Sequence, residues 1–195
     1  MQKIPHLRDT TILAIGDSVD RNLVIQISEL LGMREQVRAV QYNDITDSEL
    51  RGWDIRGLSH LVQLPDPVGL TFANCFIYGL DDHDEFSKQI DWHPPGKAED
   101  RIQHLCKNTT DQLPHRPSLI QLHSGLWDCS LFGRMDRRSK DPRVQNADTP
   151  LSREQMDWWM RRMKQVINNV KRTWPGTPIV FRKLHRPANA IESGE

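Results

Sequence analysis

Apolar and polar positions along this chain switch between a strand period and a helix period. Thr11–Ile15 is a short apolar run carrying Ile12 and Ile15, the pattern of a strand buried on both faces. It stops at Gly16-Asp17-Ser18, and a helical period follows at once. Across residues 19–31, Val19, Leu23, Ile27, Leu30 and Leu31 fall on one face, and Gly32 marks the stop. Val37–Tyr42 reads as a second strand. Leu61–Leu64 and Leu70–Tyr78 read either as a hairpin or as two separate strands around Pro65-Asp66-Pro67, with the stronger run, Phe72–Tyr78, ending at Gly79.

Residues 80–97 are a loop rich in Asp, His and Pro, 98–106 a short helix, and Ser118–His123 a strand. Residues 130–150 carry Arg134, Arg137, Arg138, Lys140 and Arg143 with little apolar content, which predicts a long mobile surface loop. Ser152-Arg153-Glu154-Gln155 has the form of a capping box. The helix it opens repeats Met156, Trp159, Met160, Met163, Ile167 and Val170 at steps of three and four, as far as Trp174-Pro175-Gly176. Trp158 and Trp159 cannot share a face, so Trp159 is expected in the core and Trp158 outside it. Pro178–Phe181 is a last strand. Strands alternating with helices predict one α/β domain over residues 1–195, a parallel sheet with helices on both faces, and polar ends at 1–9 and 187–195.

A chain of 195 residues is long enough for one substantial core. Lys plus Arg equals Asp plus Glu at 26 each, which argues against a general nucleic-acid binder. No apolar run is long enough for a transmembrane helix, and the first residues lack the apolar core of a signal peptide. As given, the chain reads as soluble and intracellular, or as a piece of a longer secreted, Golgi-type or anchored protein. Its pattern leaves the oligomeric state open. Cys75, Cys106 and Cys129 have no CxxC spacing. Three ordinary thiols are the expectation, and one disulfide is the alternative. No metal set is predicted: His83 sits in an acidic turn, Asp81-Asp82-His83-Asp84, and His93, His104 and His115 lie in polar segments expected to face solvent.

The candidate chemistry lies where the first strand meets the first helix. Open α/β sheets keep reacting groups at that junction, and the first amides of a helix point at any anion formed there. Ser18 is therefore a candidate nucleophile, needing a base and oxyanion donors. The plainer reading makes it an N-cap. Gly16 is expected to let the chain turn sharply there. His123 precedes a Ser-Gly loop and is a candidate cleft residue.

Three segments carry a resemblance: Ile15-Gly16-Asp17-Ser18-Val19-Asp20-Arg21-Asn22, Leu122-His123-Ser124-Gly125-Leu126-Trp127-Asp128, and Pro178-Ile179-Val180-Phe181-Arg182-Lys183-Leu184-His185. In this order they resemble the GDSL/SGNH hydrolase superfamily, in particular its fungal branch related to PC-esterases. The resemblance implies a flavodoxin-like three-layer α/β/α sandwich that hydrolyses or transfers acyl esters, on a small-molecule or carbohydrate O-acyl substrate, without metal or organic cofactor. It makes Ser18 the nucleophile and its amide one oxyanion donor, with Gly79 as a second donor or else a plain strand-end turn. Trp127 stands where the superfamily has an asparagine donor, and is either a third donor or a packing aromatic. Gly16, Asp17, Gly125 and Asp128 are supporting residues, Asp128 as an anchor of its loop. The superfamily's Asp-x-x-His base has no match after residue 150. His185, the histidine there, is a candidate substrate contact, and the expectation is a C-terminally truncated or catalytically inactive member.

Overall fold

A computed structural model of the chain describes residues 7–40, 57–66, 68–82, 95–113, 115–138 and 150–183. They build a six-stranded sheet flanked by helices. The elements are β1 (Thr10–Gly16), α1 (Ser18–Leu30), β2 (Arg38–Val40), β3 (Ser59–Gln63), β4 (Leu70–Phe76), α2 (98–111, with a π turn at Ile102–Cys106), β5 (Leu119–Leu122), α3 (Leu126–Arg138), α4 (Arg153–Thr173) and β6 (Ile179–Phe181). The sheet order is β2-β3-β4-β1-β5-β6.

β1 lies at the centre, parallel to β4 on one side and β5 on the other, with Gly16 opposite Phe76 and Ile15 opposite Leu122. β6 is parallel to β5. The sheet is not wholly parallel, because β3 runs antiparallel to both β2 and β4. The link 64–69 is too short to cross the sheet, since a parallel connection takes about a dozen residues or more. It closes instead as a hairpin, with Leu64 N–H on the Leu70 carbonyl at 2.8 Å.

Alternate residues of β1 serve opposite faces. Ala14 packs with Val24 of α1, Val62 and Phe72. Leu13 and Ile15 pack with Ile102 and Cys106 of α2 and with Met163, Val166 and Val170 of α4. Helices thus cover both faces, with α1 on one and α2 and α4 on the other. A smaller cluster of Phe76, Tyr78 and Leu131, flanked by Trp127 and Trp158, joins β4 to α3.

Several expectations are corrected. The buried face of α1 is Asp20, Val24 and Ser28, with Leu23 and Ile27 packed beside it, whereas Leu30 is 87% exposed. The helix turns toward a polar cluster at its start, so its apolar stripe does not set the orientation alone. Residues 130–138, expected as loop, continue the helix begun at Leu126. Leu131 and Phe132 give that segment a buried side, and residues 139–149 lie outside the described residues. On α4 the buried face is Arg162, Met163, Val166, Asn169 and Val170, while Met156 and Met160 are exposed. Arg162 displaces the methionines because it forks onto Glu99 of α2 at 2.7 and 2.8 Å and donates to the Leu80 carbonyl at 2.9 Å. Burial disfavours its charge, but Glu99, together with Asp82 and Asp81, more than compensates and its pKa rises.

The Ser152 capping box forms as expected, with its reciprocal bonds to Gln155. Trp158 is half-buried and meets the Phe132 ring edge-on at 5.4 Å. The cysteines are not three ordinary thiols. Cys75 of β4 and Cys106 of α2 form a disulfide with Cα atoms 5.2 Å apart, and Cys129 is free. Strand β2 ends at Val40, and the expected Gln41 and Tyr42 lie outside the described residues.

Candidate functional site

Because β1, β4, β5 and β6 run in parallel, their carboxyl ends share one edge of the sheet. Ser18 follows β1 there, Gly79 follows β4, His123 and Gly125 follow β5, and Arg182 follows β6. This is the rim at which open α/β sheets bind ligands.

Asp17, not Ser18, caps α1. It is extended (φ −104°, ψ −157°) and accepts from Val19 N–H at 2.9 Å, while Asp20 returns a bond from Asp17 N–H at 3.2 Å. An acidic residue in the first turn also suits the positive end of the helix. Ser18 is thereby the first helical residue. It is half-buried, and its hydroxyl and N–H make no hydrogen bond to a described residue. Gly16 is needed for space rather than for a left-handed turn: it is not among the positive-φ glycines, and a Cβ there would overlap the Asp20 carboxylate.

Asp20 is the centre of a buried polar cluster. Its Oδ1 accepts from Arg182 Nη2 at 2.8 Å and Gln121 Nε2 at 3.3 Å. Burial raises its pKa, against the pull of Arg182 and His123. His123 is buried too. Its Nδ1 lies 3.2 Å from the Arg182 carbonyl and its Nε2 is 3.7 Å from Asp17 Oδ2. Asp17, Asp20 and His123 could offer a metal three atoms within 4.8 Å of one another. Both Asp20 oxygens, however, already hold donors from the chain.

On the other flank, Gly79 adopts φ +74°, and a Cβ there would run into Asp128. Gly79 is buried, yet its N–H is bonded to no described residue. Buried backbone donors left in that state are uncommon. Asp128 accepts from Leu80 N–H at 2.6 Å, from Ser124 Oγ at 2.6 Å and from Trp159 Nε1 at 2.9 Å. It therefore fastens the loop after β4, the loop after β5 and α4 to one carboxylate. Burial raises its pKa and these three donors lower it. Trp127 packs edge-on against Phe76 at 6.3 Å and Tyr78 at 5.5 Å.

The structure thus brings Ser18, Gly79, His123, Gly125, Trp127 and Asp128 to one rim. It joins no histidine to Ser18 by a hydrogen bond among the described residues, and His185, His83 and His93 lie outside them. His104 and His115 are exposed as expected. Asp20 and Arg182 stood inside the quoted segments, but their pairing across 162 positions was invisible there. His60 was missed altogether. It is buried at the start of β3, with its N–H on Asn74 Oδ1 at 2.8 Å, and burial lowers its pKa to about 4. Its apolar setting, Leu58-Ser59-His60-Leu61-Val62, was the available signal.

No family model matches the chain, and neither a curated protein nor a solved structure does.

Proposed function

We propose that this chain is a serine ester hydrolase or acyltransferase of the SGNH type, with a flavodoxin-like α/β/α sandwich and Ser18 as nucleophile. One observation carries the reading. With the cap taken over by Asp17, the Ser18 hydroxyl is unspent at the positive end of a helix and at the carboxyl rim of the central strand. In this reading Ser18 Oγ bonds to an acyl carbon as its proton passes to water, the oxyanion that forms is held by the N–H groups of Ser18 and Gly79, and its collapse expels the alcohol and leaves an acyl-serine. Trp127 and Gly125 shape the adjoining wall, while Asp128 keeps Gly79 and the Ser124 loop in place. The substrate class, a small-molecule or carbohydrate O-acyl ester, comes from the resemblance of the three segments.

A second reading is favoured by the state of His123, whose ring is held between Asp17 and the Arg182 carbonyl. With no base on Ser18, the same fold would bind without turnover. Hydrolysis of p-nitrophenyl acetate by wild type and by Ser18→Ala separates the two. The catalytic reading expects wild type to exceed the about 10³-fold acceleration over buffer that an oxyanion site gives without a working triad, and Ser18→Ala to fall back to that level. It also expects a fluorophosphonate adduct on Ser18 by mass spectrometry. Equal rates for the two proteins, with no adduct, would leave the binding reading in its place.

A further inference from the structure

A cavity of about 600 Å³ opens beside this rim, between α3, the first turns of α4 and the end of β6. Its walls are Phe132, Leu151, Met156, Trp159, Met160 and Phe181. The size is that of a small-ligand site. Four of these six side chains, Leu151, Met156, Met160 and Phe181, are among the exposed large hydrophobics of the molecule. Met156 and Met160 stand at helix positions, and Phe181 at a strand position, that the core does not use.

Ser124, Asp128 and Trp159, polar groups of the walls, are already spent on one another. Ser124 Oγ–H and Trp159 Nε1–H both donate to Asp128, whose other oxygen holds Leu80 N–H. Against the apolar walls a carbohydrate would leave hydroxyls without partners, whereas a hydrocarbon chain would leave none. Besides Asp128, whose carboxylate is held by its three donors, the charged side chains of the walls are Arg153, Asp157 and Lys183. Arg153 and Asp157 face each other at 3.9 Å, and Lys183 is exposed and paired with no described residue. An apolar wall with, among the described residues, one cation left unpaired suits an aliphatic chain ending in an anionic group.

We infer that this cavity binds a linear aliphatic carboxylate of the fatty-acid class, its chain against Met156, Met160 and Phe181 and its head at Lys183. The inference is independent of whether Ser18 turns over an ester. Cys129, the free exposed thiol among the described residues, lines the same space and reports on its occupancy.

The test uses hexanoate, octanoate and decanoate with the full chain. Binding is followed by tryptophan fluorescence and by the rate at which a disulfide reagent modifies Cys129. Each pair of added methylenes should tighten binding by roughly 10- to 20-fold, the hydrophobic increment for two CH₂ groups, and decanoate should slow modification of Cys129. Met160→Glu should weaken decanoate at least tenfold, and Leu30→Glu, on the opposite face of the sheet, should not. Met156→Glu serves in place of Met160→Glu if circular dichroism shows that the latter is misfolded. Absence of binding by wild type, or binding that both cavity variants leave unchanged, overturns the inference. Failure of Ser18 to hydrolyse p-nitrophenyl acetate does not touch it.

Discussion

Replacing Asp128 with Asn changes one charge and almost no volume, so it isolates what the carboxylate does. In the native chain its two oxygens take three donors, at 2.6, 2.6 and 2.9 Å, and the residue is 1% exposed. An amide offers one oxygen. If that oxygen keeps Leu80 N–H, the NH₂ group meets Ser124 and Trp159. The serine hydroxyl can rotate to accept, but the indole N–H only donates. A buried donor then faces a donor. Hydrogen bonds to a charged acceptor contribute about 1.5–3 kcal/mol each, and an orphaned buried donor costs about 1–3 kcal/mol. Against this stands the relief of no longer burying a charge, which is why the Asp128 pKa is raised. Since two of the three donors keep a partner, the net loss should be about 2–4 kcal/mol, or roughly 5–15 °C in Tm for a chain of this size. Asp128→Ala, which abandons all three donors, should lose more. Urea unfolding followed by circular dichroism measures both. If Asp128→Asn is as stable as wild type, desolvation outweighs the network, and Asp128 is not what fastens Gly79, Ser124 and Trp159 together.

Two further outcomes follow from buried groups. The Cys75–Cys106 bridge spans a separation of 31 residues, so chain entropy assigns it about 3–4 kcal/mol. Cys75→Ala/Cys106→Ala, or wild type under reductant, should unfold at correspondingly lower urea, and a midpoint insensitive to reductant would count against the bridge. His60 titrates near 4 in the folded chain against 6.5 unfolded. Its contribution is therefore complete above pH 6.5 and is lost as pH falls toward 4, because only the unfolded chain takes up the proton. The loss is about 3 kcal/mol over that window. Wild type minus His60→Gln, measured by urea unfolding at pH 7 and pH 4.5, should show it, and parallel pH profiles would refute it.

The sequence by itself determined the elements whose signals are local. The run at Thr11–Ile15, the break at Gly16-Asp17-Ser18, the Gly32 stop and the Ser152 capping box depend on residues within a few positions of one another. Each appears where its pattern placed it, within a residue or two. The strand ends also put Ser18, Gly79, His123 and Gly125 on one rim, because parallel strands align their carboxyl ends. Orientation and pairing belonged to the tertiary structure. Whether 61–64 and 70–78 formed a hairpin, which side of α1 and α4 was buried, and where Cys75 found its partner were set by surfaces far apart in the chain. Arg162 entered the core because Glu99 was waiting on another helix, and Asp20 was buried because Arg182 arrived from the last strand. Period counts the polarity of one residue at a time. It cannot register that a charge becomes buriable once its partner is brought to it.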